Sequence, residues 1–154
     1  MTIHLFQPLQ PLAADGGALM RVMIAAGVDK RDLIRVVGPS APLAALWLGS
    51  HGYERALVVR TPARGTPPRP ADAVLIGHPC AAGELAGLLA VAGEVTDEGV
   101  VLVQTRPGRS GEEAEAMAAA LGELGYRVQR RLNDKGRPIF IARLVDTPTV
   151  RKAA

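Results

Sequence analysis

Four short apolar runs limit what this chain can fold into: LIRVVG at residues 33–38, ALVVR at 56–60, AVLIG at 73–77 and VVLVQ at 100–104. Each is rich in β-branched residues and too short to make a stable helix. None alternates apolar with polar residues as a strand with one wet face would, so each reads as a strand buried on both sides. Arg35 is the one interruption in the first run. Strands of this kind need cover above and below, and stretches with helical spacing lie between most of them. The expected fold is therefore a three-layer α/β domain with a mostly parallel sheet.

The covering helices are marked by spacing and punctuation. Asp15 stands as an N-cap before the apolar run at residues 18–24, and Gly27 ends it. A second helix begins near Ala41 with Pro42 in its first turn, turns Leu43, Leu46 and Trp47 inward, and stops at Gly49 or Gly52. After Pro79 a third carries Leu85, Leu88, Leu89 and Ala92 on one face. Ser110 and Glu113 form an S-x-x-E capping box before Ala114, Met117, Ala118 and Leu121, a helical stripe that Gly125 closes. Two last strands, residues 126–132 and 138–145, flank Asn133-Asp134-Lys135-Gly136 and predict an antiparallel hairpin. Between the second and third strands, Pro62, Pro67, Pro68 and Pro70 remove backbone donors, so residues 61–71 are expected as an open loop. Residues 1–14, with Pro8 and Pro11 and no apolar period, read as an extended arm.

Length and composition narrow the function classes. A chain of 154 residues fits one domain, 1–154, with a sizeable core. The single cysteine, Cys80, excludes an intrachain disulfide and a multi-cysteine metal site. The formal net charge of +3 suits an anion-binding patch and is too small for a nucleic-acid coat. The N-terminus shows no basic start followed by a long apolar stretch, and no run reaches membrane-spanning length, so a cytoplasmic location is the default expectation.

Over residues 16–145 the alternation of helices and strands and the terminal hairpin resemble a class I S-adenosylmethionine-dependent methyltransferase, a Rossmann-like fold. VVGPSAPLAALWLGSHGYERALVV stands where that family has its first strand, glycine-rich turn, helix and second strand. ADAVLIGHP stands where its fourth strand ends at the active-site cleft, and VAGEVTDEGVVLVQTRP resembles its run of helix, turn and fifth strand. The resemblance implies S-adenosylmethionine as cofactor, with an acidic residue and several glycines in the first loop and a ribose-binding carboxylate after the second strand. This sequence departs at both places. The first loop reads Gly38-Pro39-Ser40-Ala41-Pro42, and Arg60-Thr61 reverses the charge expected after the second strand. Eleven residues, 61–71, also cannot hold the family's usual helix, third strand and helix, although in extended form they span roughly 36 Å at about 3.3 Å per residue. A six-stranded sheet lacking the family's third strand is the consequence.

Candidate chemistry gathers at the carboxyl ends of the strands, where open α/β sheets place their ligands. His78 follows the third run directly and is the candidate catalytic residue, a neutral imidazole able to act as a base. Its bland alternative is a hydrogen-bonded loop histidine. Gly38, Ser40, Arg60 and Gly77 are the candidate cofactor-binding positions. Asp72 lies at the opposite end of the strand, roughly 16 Å from His78 at the rise of an extended chain, so the two do not pair. Cys80 near a helix start suggests a nucleophile, against the commoner reading of a buried filler. No metal-ligand spacing is present. Arg60, Arg64 and Arg69 crowd the Pro-rich loop, and Arg127, Arg130, Arg131, Lys135 and Arg137 crowd the hairpin, suiting phosphate or carboxylate or simply a solvated surface. With five aromatic residues, base-stacking arrays of the single-strand-binding kind are not expected, and Trp47 is expected in the core.

Three functions follow as expectations. The first is a methyltransferase-like protein with a degenerate cofactor site, working as an interaction or regulatory module with a protein partner or a second copy of itself. The second is an active methyltransferase with an atypical pocket. The third is a binder of nucleotide or nucleic acid through the arginine clusters.

Overall fold

The computed structural model describes residues 16–106, 111–134 and 137–145. Helix α1 (Gly16–Ala26) leads into β1 (Ile34–Val37), α2 (Ala41–Ser50) and β2 (Ala56–Val58). Then come β3 (Ala71–Ile76), α3 (Ala82–Ala92), β4 (Val95–Gln104), α4 (Glu112–Glu123), β5 (Tyr126–Asp134) and β6 (Arg137–Leu144). One six-stranded sheet results, in the order β2-β1-β3-β4-β6-β5. The first four strands in chain order pair in parallel, while β6 runs antiparallel between β4 and β5. β2 occupies the edge at which a third strand of the methyltransferase pattern would continue the sheet.

Two apolar clusters account for the layers. Successive side chains of a strand point to opposite faces. Val36, Leu75, Leu102 and Ile141 thus meet α1 and α2, and Val37, Val74, Val103 and Phe140 meet α3 and α4. Both faces of β1, of β3 and of residues 100–104 in β4 are dry, which is why these sequences run apolar without alternation.

The structure corrects several local readings. In α2 the buried residues are Ala41, Ala44 and Leu48, whereas Leu43 and Leu46 are 45% and 72% exposed. The cause lies at the start of the helix: a Cβ on Gly77 would come within 3.2–3.3 Å of the Ser40 and Ala41 backbone. That close approach of β3 to the first turn sets the roll of α2 and presents its small residues to the sheet. Trp47 is half-buried and stacks on His51 with centroids 3.9 Å apart, so it only partly serves the core. β4 starts at Val95, five residues before the apolar run. Between the pairs Ala71↔Val95 and Ala73↔Val100 it runs five residues against two, a bulge with Glu98 at φ 64. Helix α4 begins after Gly111 in left-handed geometry, with Glu112, Glu113 and Glu115 at its positive end, and carries Ala114, Met117 and Leu121 inward as expected. Ser110 of the expected capping box, Asp15, the 1–14 arm, and Lys135-Gly136 of the hairpin turn lie outside the described residues.

The Pro-rich loop crosses from the carboxyl end of β2 to the amino end of β3. Arg35, 6% exposed, anchors it: its guanidinium donates to the carbonyls of Ala92 (3.2 Å), Glu94 (3.4 Å) and Arg69. The interruption in the first apolar run is therefore a cross-tie that also meets the negative end of α3.

Candidate functional site

β1, β2, β3 and β4 end side by side, which brings Gly38, Arg60, Gly77-His78 and Gln104 to one edge of the sheet. Gly38 leaves β1 at φ +100, a conformation that glycine adopts at little cost. Its carbonyl accepts the Ala41 N–H at 3.1 Å, which turns the chain into α2. Ser40 is the N-cap but makes no side-chain cap bond. Gly77 packs on the Ser40–Ala41 backbone, so Ser40 and Gly77 form the tight base of the edge.

His78 is placed against Gly38. A Cβ on Gly38 would lie 2.6 Å from His78 Nδ1 and 2.8 Å from Cε1, so the imidazole fills the space that the glycine leaves open. Nδ1 is buried and has no hydrogen-bond partner. Burial pushes the imidazole pKa down, Glu84 raises it and Arg106 lowers it, with burial the largest influence. The ring is thus held neutral at neutral pH. Glu84 and Arg106 pair at 2.7 Å, and the Glu84 carboxylate also accepts the Ala81 N–H at the start of α3.

Cys80 is fully buried, and burial with the nearby Glu84 charge pushes its thiol up to about 12 despite Arg106. A neutral thiol at that depth is a core side chain, in line with the commoner reading of Cys80 as a buried filler rather than a nucleophile.

Gln104 escaped sequence reasoning. It ends β4 at 1% exposure, and neither Oε1 nor Nε2 has a partner. Its only signal was a polar residue closing an otherwise apolar run. His78 Nδ1 and the Gln104 amide are the unpartnered buried side-chain polar atoms among the described residues, and both lie at the carboxyl edge.

Two hollows lie on the α3 side of the sheet, the first of them at this edge. One, of ≈ 430 Å³, is lined by Gly38, Pro39, Pro42, Arg60, Leu88 and Val91 among others. The second, of ≈ 370 Å³, runs under the Pro-rich loop past Arg35, Thr61 and Gly93. Gly38 and Arg60 therefore share a cavity, whereas Ser40 and Gly77 are not among its lining residues. Among the described residues no group of three or more histidine, cysteine, aspartate or glutamate side chains could hold a metal ion, and no helix is long and apolar enough to cross a membrane.

Comparison with solved structures defines the class of this fold as that of the S-adenosylmethionine-dependent methyltransferases. A SAM-dependent methyltransferase from Aquifex aeolicus superposes with a TM-score of 0.60 at 15% identity, over 82% of this chain and 89% of that one. The fibrillarin pre-rRNA processing protein of Methanococcus jannaschii gives 0.57 at 11% identity, over 75% and 67%. The magnesium protoporphyrin IX methyltransferase of Synechocystis, with bound SAH, gives 0.53 at 12%, over 86% and 83%. The chain spans 61% of TYW2 from P. horikoshii and 64% of the 16S rRNA methyltransferase RmtF. No protein-family model and no curated protein matches the sequence. Likeness at these identities carries the fold, which is Rossmann-like, mixed six-stranded and shortened by the third strand.

Proposed function

We propose that this chain is a methyltransferase-like protein whose cofactor site has degenerated and that it works as a non-catalytic interaction module. The observation that carries the reading is the contact between His78 and Gly38: the protein's own imidazole takes the place beside the glycine turn. The residues around it fit S-adenosylmethionine poorly. The ends of β1 and β2 offer Gly38-Pro39-Ser40 and Arg60-Thr61, without a carboxylate to accept from ribose hydroxyls or to meet a cationic group. Proline at positions 39 and 42 removes two backbone donors from the same turn. Leu43 and Leu46, turned outward on α2, and Leu57, 53% exposed on the edge strand β2, supply apolar surface for a partner.

Calorimetric titration with S-adenosylmethionine and S-adenosylhomocysteine, checked by thermal shift, tests the reading. The expected result is no heat of binding and no rise in Tm at millimolar ligand, since a ligand selective for the folded state must stabilise it. Micromolar binding overturns it.

A further inference from the structure

The cavity of ≈ 430 Å³ at the ends of β1 and β2 has the size of a small-ligand site and an unusual division of chemistry. Pro39 and Pro42 from the β1–α2 turn and Leu88 and Val91 from α3 line it with apolar surface. Arg60, exposed at the last position of the apolar run that forms β2, is its cation. Among the described residues Arg60 makes neither an ion pair nor a side-chain hydrogen bond, so its guanidinium is unspent. Arg64 lies four positions further along the loop that continues from it.

An apolar slot with one free guanidinium calls for a flat, largely apolar body carrying an anion at its edge. Position in the fold specifies the body. In dinucleotide-binding sheets of this kind an acidic residue after the second strand accepts from the ribose 2′-hydroxyl, and an arginine nearby accommodates a phosphate ester there instead. Guanidinium also matches phosphate in bidentate geometry. We infer that this cavity binds a purine nucleoside bearing a phosphate on its 2′ or 3′ oxygen, with the base between the prolines and α3 and the phosphate on Arg60. The inference rests on the reading that the site no longer takes the sulfonium nucleoside of its fold class. Loss of the carboxylate at β2 is then a change of ligand charge.

The test is titration of the full chain with adenosine 2′,5′-bisphosphate, adenosine 3′,5′-bisphosphate, adenosine and S-adenosylmethionine, on the parent and on Arg60→Glu. At least one bisphosphate is expected to bind tenfold or more tighter than adenosine and to raise Tm. Arg60→Glu, an exposed change that leaves the core intact, is expected to erase that preference with an unchanged ligand-free Tm, and added salt to weaken the parent's binding. Equal affinity for adenosine and both bisphosphates overturns the inference, as does a preference that survives Arg60→Glu. Absence of binding by every nucleotide overturns the inference while the degenerate-site reading stands. Micromolar S-adenosylmethionine binding that the bisphosphates do not displace overturns both.

Discussion

The two ends of the sheet treat their polar side chains in opposite ways. At the amino end three polar side chains among the described residues are held chiefly by backbone. The Asp72 carboxylate accepts the Leu33 N–H at 2.8 Å, and Arg35 ties α3 to the Pro-rich loop. Arg143 donates to the carbonyls of Ala26 and Glu98 and to Gln129 Oε1. At the carboxyl end His78 Nδ1 and the Gln104 amide are buried without partners. Among the buried polar side chains Arg35 and Thr105 reach backbone carbonyls whereas Gln104 has no partner, and an unmet buried polar atom costs stability.

Removing a buried polar side chain that is answered and removing one that is not should therefore have opposite signs. The largest effect is expected at the amino end: Arg35→Ala leaves carbonyls of α3 and the loop unanswered and should lower unfolding stability by on the order of 3 kcal/mol, measured by urea titration. A change below about 1 kcal/mol would show the cross-tie to be dispensable. Next is Gly38→Ala, which meets both the positive φ and the His78 ring and should cost about 2 kcal/mol. In a His78→Ala background that cost should shrink, because the ring is the obstacle. A double-mutant cycle showing strict additivity would break the contact on which the proposed function rests. At the carboxyl end, Gln104→Leu should stabilise the protein by about 1 kcal/mol, since it removes an unpartnered buried amide of similar volume. A loss of stability would mean that the amide has a partner in solution.

The smallest effect concerns pH. The folded-state pKa of His78 lies below the ordinary 6.5, so the unfolded chain binds this proton more readily. Its contribution to stability is complete above the unfolded value and is lost as the pH falls below it towards the depressed folded value. Between pH 7 and 5 the parent should lose more stability than His78→Gln. Parallel profiles would place the ring in water.

How far the sequence foretold this asymmetry depended on the range of the interactions. The strand cores, the Pro-rich crossing and the hairpin follow from local patterns, and so does the meeting of Gly38 with Gly77-His78, since strand ends in a parallel sheet must share an edge. The roll of α2 was not readable because the helix is apolar around much of its circumference. Contact between Gly77 and the Ser40–Ala41 backbone, residues 36 and 37 positions away in sequence, chose Ala41, Ala44 and Leu48 over Leu43 and Leu46. The extra residues at the start of β4 were hidden for a similar reason: Thr96, Asp97, Glu98 and Gly99 look like a turn, and the strand includes them because Val95, on their far side, pairs with Ala71 of β3. Arg35 looked like a flaw until the carbonyls that receive it were in place. Whether Gln104 finds a partner is a property of the assembled edge, which no local pattern reports.

β6 lies inside the sheet, between β4 and β5, yet it is the last described strand in chain order. It delivers Ile139 and Ile141 to one apolar cluster and Phe140 and Ala142 to the other. A growing chain that has emerged only as far as α4 thus presents β4 as an open edge with uncovered valines on either side. Neither apolar cluster is complete without β6, so this one strand closes both layers of the core together.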